Sequence, residues 1–414
     1  MFDIPLPPLD PFSMLELDEA RDRILALIEP LPAETVSLSQ ATGRIVAETI
    51  DTPIDLPPFD SSAMDGYAVC ASDLGQAGPD RPVSLRLSGQ VAAGEVFQSA
   101  VRPGNCVRVF TGSALPEGAD AVVMQEETRW VAEQGAEVLF LESIKPWGNV
   151  RLRGEDVRRG GELVSRGARL TVGRIGLLAA CGIGEVSVHR QPIIGVLATG
   201  SELREAGASL LPGQIYESNR VCVASLLRQA GAIPRLFPLI EDTLKETGRG
   251  LQIALAECDG VVTTGGVSVG AFDWVKEAFE QLGGTLDFWK VAMKPGKPFA
   301  FGKYQDRFLF GLPGNPVSAF VSFLLLARPA LLRWQGADDL RLPRSYGILA
   351  EPLVNRGERR HFMRVTLDPE GRVRLAGTQA SHILSSLAAA NGLVDVPAGT
   401  TWEVNTPVAV MGWD

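Results

Sequence analysis

Histidine is scarce: His189, His361 and His382 are the only three in 414 residues, and they stand far apart in the chain. A zinc site built from histidine and cysteine is therefore not expected. The five cysteines, Cys70, Cys106, Cys181, Cys222 and Cys258, form no CxxC pair and no close spacing. They read as small core residues in a reducing cytoplasm. Any metal is expected to be a hard cation held by carboxylates. The most apolar stretch, AFVSFLLLARPALL, is cut by Arg328 and Pro329 and reads as too short to span a bilayer. The opening MFDIPLPPLDPF is acidic and broken by proline, which is not the pattern of a signal peptide. Positive charge is also in deficit. A formal net charge of −10 argues against unaided binding to nucleic acid or to an anionic membrane. No internal repeat and no low-complexity segment occurs.

What is present is a chain that is 45% hydrophobic and long enough for two to four domains, each with its own core. Residues 13–32 show helical periodicity behind a serine and stop at prolines. From 53 to 147, short alternating runs broken by Gly, Pro and Asn predict a small β-rich unit. From 190 to 334, buried apolar runs alternate with amphipathic ones. That order predicts an α/β domain, a mainly parallel sheet with helices on both faces. Strand-like runs from 340 to 414 predict a smaller β-rich C-terminal domain.

In open parallel sheets, ligands bind beyond the carboxyl ends of the strands. Four loops fall there: ATGSEL, LIEDT, TTGGVSVGAFD and LPGNPVS. They supply Glu202, Asp242, Asp273 and Asn315, with Thr199, Ser201, Ser268 and Pro313 beside Gly200, Gly265, Gly266, Gly270 and Gly314. The threonines and glycines let backbone amides approach an anion closely. Three carboxylates at one edge repel unless a cation joins them, and Mg²⁺ suits two carboxylates plus phosphate oxygens and water. Taken singly, Asp242 and Asp273 read as helix caps; taken as three loops at one edge, they read as a site. The GGVSVG spacing is not a Rossmann fingerprint, and no GxxxxGK is present. Lys294 and Lys297 flank a Pro-Gly turn stiffened by Pro295 and Pro298. That arrangement suits a phosphate or oxyanion, with a solvated surface turn as the competing reading. PPFDSSAMDGYAV, by itself, reads as a hairpin. Arg151, Arg153, Arg158 and Arg159, interleaved with Glu155 and Asp156, read as a self-paired solvated face.

Seven stretches stand in order between residues 57 and 320: PPFDSSAMDGYAV, TGSALPEGADAVVMQEET, NVRLRGEDV, TGSEL, TTGGVSVGAFD, KPGKPFAFG and LPGNPVSAF. Together they resemble the MoeA family, the molybdopterin molybdenumtransferases of molybdenum cofactor biosynthesis, and the related E domain of gephyrin. The resemblance runs from the N-terminal helix to SHILSS near residue 385. It implies Mg²⁺-dependent cleavage of adenylylated molybdopterin with release of AMP and insertion of molybdate. It also implies an elongated homodimer of four-domain subunits, in which 53–147 is inserted into a linking and dimerisation domain of 10–52 together with 148–189, with the cleft between domains of different subunits. The residues it implicates are Asp65, Thr111, Asp156, Glu202, Asp242, Asp273, Lys294 and Lys297, together with Arg364 and Ser381 facing the cleft. By the same resemblance, the Gly/Ser loop would receive the terminal phosphate of the pterin, and Glu202, Asp242 and Asp273 would hold the Mg²⁺. The family commonly has Asp or Asn before the Glu of TGxEL, where this chain has Ser201; a hydroxyl still donates to a phosphate or to a metal-bound water. Three other readings remain open. One is the upstream molybdopterin adenylyltransferase, which would be far shorter and is otherwise expected as a partner. The second is a non-catalytic scaffold of the gephyrin E type. The third is a tungstate-inserting homologue.

Overall fold

The structure is a computed structural model and describes residues 14–131, 136–266 and 274–413. Near the N-terminus the helix is shorter than its periodicity predicts, running Leu17–Ala26. Its start is taken by the sheet-like pairing of Leu15, whose N–H donates to the Lys290 carbonyl and whose carbonyl accepts from Ala292. Leu17, Ala20 and Ile24 recur at helical spacing and are buried. They join one large core with Leu331 and Trp334 of the α/β domain.

Residues 33–37 pair antiparallel with 185–189, residues 50–51 with 162–164, and residues 61–62 with 150–151. The chain therefore leaves this domain and returns to it, and what lies between is a six-stranded sheet. That sheet is built from short alternating runs such as Val83–Val91, and its core holds Tyr67, Cys106, Val123 and Phe140.

The α/β domain carries the strands β1 (Ile193–Ala198), β2 (Ile233–Leu236), β3 (Gly260–Thr264), β4 (Thr285–Lys290), β5 (Pro298–Tyr304) and β6 (Arg307–Leu312). Its helices are α1 (Asn219–Gln229), α2 (Leu244–Glu257), α3 (Trp274–Gln281) and α4 (Pro316–Ser322). The strand order is β2-β1-β3-β6-β5-β4. The first four strands run parallel, as the βα alternation predicts, while β5 and β4 are antiparallel additions. All of β3 is buried, because helices cover both faces. Phe288, Phe299, Phe301, Phe308 and Phe310 stack through β4, β5 and β6, with ring centroids 5.3–6.0 Å apart. A side chain of this size contributes about 1.5–3 kcal/mol on full burial.

The apolar stretch read from the sequence as too short for a membrane lies in a longer helix, Pro316–Trp334. By length and composition this helix could cross a bilayer, yet most of it is buried inside the protein. It is a core helix. The C-terminal domain is a sheet of 344–349, 360–367, 372–375, 392–396 and 407–411, extended by the short strand Met293–Lys294. Met293 and Lys294 pair in parallel with Arg360 and His361. The lysine turn is thus shared between two domains.

Candidate functional site

The four parallel strands bring their carboxyl ends to one edge. Thr199 follows β1 directly, Gly265 follows β3, and Pro313 follows β6. Thr199 also bridges to Ile240, and the Gly200 N–H donates to the Ile240 carbonyl at 3.2 Å, so the loop ending at Asp242 is drawn to the same edge. Around these loops lies a cavity of about 670 Å³. Thr199, Gly200, Glu202 and Asp242 line one part of it; Gly265, Gly266, Pro313, Gly314 and Asn315 line another. The glycines are there for space. Gly265 and Gly266 have φ of +84° and +67°, and a Cβ on Gly266 would stand 3.0 Å from Thr199 Oγ1 and 2.6 Å from Val275 Cγ2. Ser201 is exposed and does not line the cavity; its carbonyl accepts from Arg204. Ser268, Gly270 and Asp273 lie outside the described residues.

Two carboxylates meet here. Burial, and then the charge of Glu202, raise the Asp242 carboxyl above its ordinary value. Thr199 Oγ1, in a residue only 7% exposed, has no hydrogen-bond partner among the described residues. Among the described residues no group of three His, Cys, Asp or Glu side chains gathers as a metal cage. Among the described residues the donor set is therefore a pair of mutually repelling carboxylates beside an unpartnered hydroxyl. That set fits a hard dication which completes its shell with water and phosphate oxygens.

A second cavity, about 650 Å³, adjoins the first. Lys294 and Lys297 line it together with Arg359, Ser381 and His382. Pro298, Asn315, Ser318 and His382 belong to both cavities. Its field is positive: burial, then Lys294, Arg364 and Arg359, push the His361 imidazole down to about 4. His361 consequently stays neutral near pH 7 and adds no charge of its own. Both lysine side chains are exposed, and their backbone is fixed by the Met293–Lys294 strand and by Arg359 Nη1 donating to the Met293 carbonyl at 2.9 Å.

Arg364, expected to face the cleft, lines neither cavity. It is 0% exposed, and its guanidinium donates to Ser386 Oγ and to the carbonyls of Thr378 and Ala380. In the strand 360–367 it shares a face with Phe362, which packs in the α/β core, and lies opposite Met363 and Val365 of the C-terminal core. There it fixes the loop that presents Ser381 and His382, while its Nη1 has no partner among the described residues. The Ser381 carbonyl in turn accepts the Val317 N–H at the start of α4. Asp65 and Thr111 do meet each other: the Thr111 N–H and hydroxyl both donate to Asp65 Oδ1, at 2.7 and 2.8 Å, and lower its carboxyl below the ordinary value. Neither these two nor the exposed Asp156 lines either cavity. Sequence reasoning missed Asn219, Glu217, Ser318 and His382. His382 had a signal, its place beside Ser381 in SHILSS; Ser318 sits within the LPGNPVS motif but one helical turn beyond its glycine.

Three family models match the chain in order: the MoeA N-terminal region (domain I and II) over residues 15–182, the probable molybdopterin binding domain over 195–333, and the MoeA C-terminal region (domain IV) over 346–413. A molybdopterin molybdenumtransferase of Haemophilus influenzae is 41% identical over 91% of this chain and 93% of its own length. The protein of the same name from Bacillus subtilis is 34% identical over 95% and 92%. The crystal structure of the molybdopterin biosynthesis MoeA protein of Pyrococcus horikoshii superposes with a TM-score of 0.83 at 31% identity, covering 97% of this chain and all of that one.

Proposed function

The chain belongs to the MoeA family of molybdopterin molybdenumtransferases, enzymes of molybdenum cofactor biosynthesis, and from that premise we propose how its two cavities divide the reaction. The acidic cavity receives the pyrophosphate of adenylylated molybdopterin, and the lysine cavity receives molybdate. The observation that carries this reading is the juxtaposition: a carboxylate pair and a cation pair in adjoining spaces that share Pro298, Asn315, Ser318 and His382.

Glu202 and Asp242 would hold Mg²⁺. When bound, Mg²⁺ would offset charge on the phosphate oxygens and orient the phosphorus for attack. Thr199 offers its buried hydroxyl, unpartnered among the described residues, to a phosphate oxygen, and the glycines after β3 and β6 allow the ligand to lie against the backbone. Lys294 and Lys297 hold the molybdate dianion as ammonium donors. The neutral His361 behind them adds no charge to the cavity that holds it. Asp65, Thr111 and Asp156 stand apart from both cavities within one chain, which supports a cleft completed by a second copy, as a homodimer. The five free cysteines agree with work in the cytoplasm, and the adenylylated substrate must come from an upstream adenylyltransferase.

The test is AMP release from adenylylated molybdopterin with Mg²⁺ present and molybdate, tungstate or neither added. Release that depends on the oxyanion and yields metal-loaded cofactor supports the reading. Absence of release under every condition overturns it and leaves a binding role.

A further inference from the structure

Glu202 reaches the acidic cavity from an exposed excursion of the chain. Between β1 and α1, Leu203–Arg204 pairs in parallel with Ile215–Tyr216. The Ile215 N–H donates to the Glu202 carbonyl at 3.0 Å, and the Glu217 N–H to the Arg204 carbonyl at 2.9 Å. Residues 205–214 at the tip are almost wholly exposed. Two residues per strand is little to hold a carboxylate to a fixed place. Asp242 arrives separately, from the segment that leaves β2.

Arg220 connects the two. It stands in the first turn of α1, is 3% exposed, and spreads its guanidinium over three segments. Nε donates to Glu217 Oε2 at 3.1 Å, Nη2 donates to Glu205 Oε1 at 2.6 Å, and Nη1 donates to the Phe237 carbonyl. Its own N–H donates to the other Glu217 oxygen at 2.7 Å. Glu205 and Glu217 bracket the excursion at its outgoing and returning ends, and Phe237 opens the segment that runs to Asp242. Glu217 itself is 6% exposed and lines the cavity.

Burying an arginine with a glutamate is a costly way to gain stability, since desolvation opposes the attraction between them. What the planar fork supplies is geometry, because its donors point in fixed directions to three partners at once. The Ile240 carbonyl, accepting the Gly200 N–H, closes the ring on the cavity side.

We propose that Arg220 is a positioning residue for the cation site: it sets the spacing between Glu202 and Asp242 by clasping the loops that carry them. This rests on the reading that those carboxylates hold a dication, and extends it to a residue that touches neither metal nor substrate.

The test uses the full-length protein and Mn²⁺ as the probe. Arg220→Lys keeps the charge and loses the fork, so hydrogen exchange should quicken in both 201–218 and 237–243. The Kd for Mn²⁺, followed by electron paramagnetic resonance, should rise about ten-fold or more, the range for residues that orient metal ligands. Glu205→Gln, at a side chain that is largely exposed, loosens only the excursion: quicker exchange confined to 201–218, with a smaller rise in Kd. If Arg220→Lys does not fold, Glu205→Gln decides alone. Wild-type exchange and wild-type Mn²⁺ affinity in the variants overturn the inference while leaving the cation site standing. A wild-type protein that takes up no Mn²⁺ sinks the cation site and the inference with it.

Discussion

At the scale of single residues, the site is a set of charges that the fold holds against their preference. Asp242 is the clearest case, its carboxyl raised by burial and by Glu202. Between the ordinary carboxylate value and the raised one, the folded protein holds more proton than the unfolded chain, so this group's contribution to stability falls as pH rises through that window. Asp242→Asn removes the repulsion. The variant should melt at a higher temperature than the wild type at neutral pH without Mg²⁺, and should lose the further rise that Mg²⁺ gives the wild type. A variant that still responds fully to Mg²⁺ in thermal melts would remove Asp242 from the cation site. The sequence made the residue types at the cavity legible, because carboxylates, glycines and lysines at loop positions have few other uses. It did not reveal which way a side chain turns. Arg364 lies in a strand, where successive side chains alternate between faces; it shares its face with Phe362, and there the loop carbonyls of Thr378 and Ala380 cover it, so that it braces the Ser381 loop.

At the scale of elements, two features place the cavity. One is the pair of left-handed glycines after β3. Gly266→Ala adds a Cβ where Val275 and the Thr199 hydroxyl already stand, on a backbone whose left-handed conformation alone costs about 1–2 kcal/mol for an L-residue. Its melting temperature should drop, and phosphate-bearing ligands should bind more weakly; an unchanged melting temperature would mean that the loop relaxes freely. The other is the aromatic stack of β4, β5 and β6. Phe301 lies at its centre, 0% exposed, and Phe301→Ala should lower unfolding free energy by about 3–5 kcal/mol in denaturant titration. The parallel strands β1, β2, β3 and β6 were legible as apolar runs followed by amphipathic ones. The antiparallel β4 and β5 were not. Between them lies the Pro-Gly turn with its two lysines, and prolines normally speak against a strand; here Pro298 sits at the first position of β5, where a missing N–H does little harm. The same turn joins the C-terminal sheet through Met293 and Lys294. That long-range pairing leaves no local signature.

At the scale of the whole molecule, the chain places its chemistry along a seam. The α/β domain contributes the acidic cavity, the C-terminal domain closes the lysine cavity with Arg359, Ser381 and His382, and the inserted β-rich domain carries Asp65 and Thr111, which line neither. In the homodimer proposed above, a second copy completes the cleft. Sedimentation velocity at micromolar concentration should therefore report a dimer, and an active enzyme that is strictly monomeric would contradict a shared cleft. The two cavities divide the labour, and anomalous diffraction at the molybdenum edge from crystals soaked in molybdate should show a molybdenum peak between Lys294 and Lys297. A peak beside Glu202 and Asp242, or in neither cavity, would contradict that division.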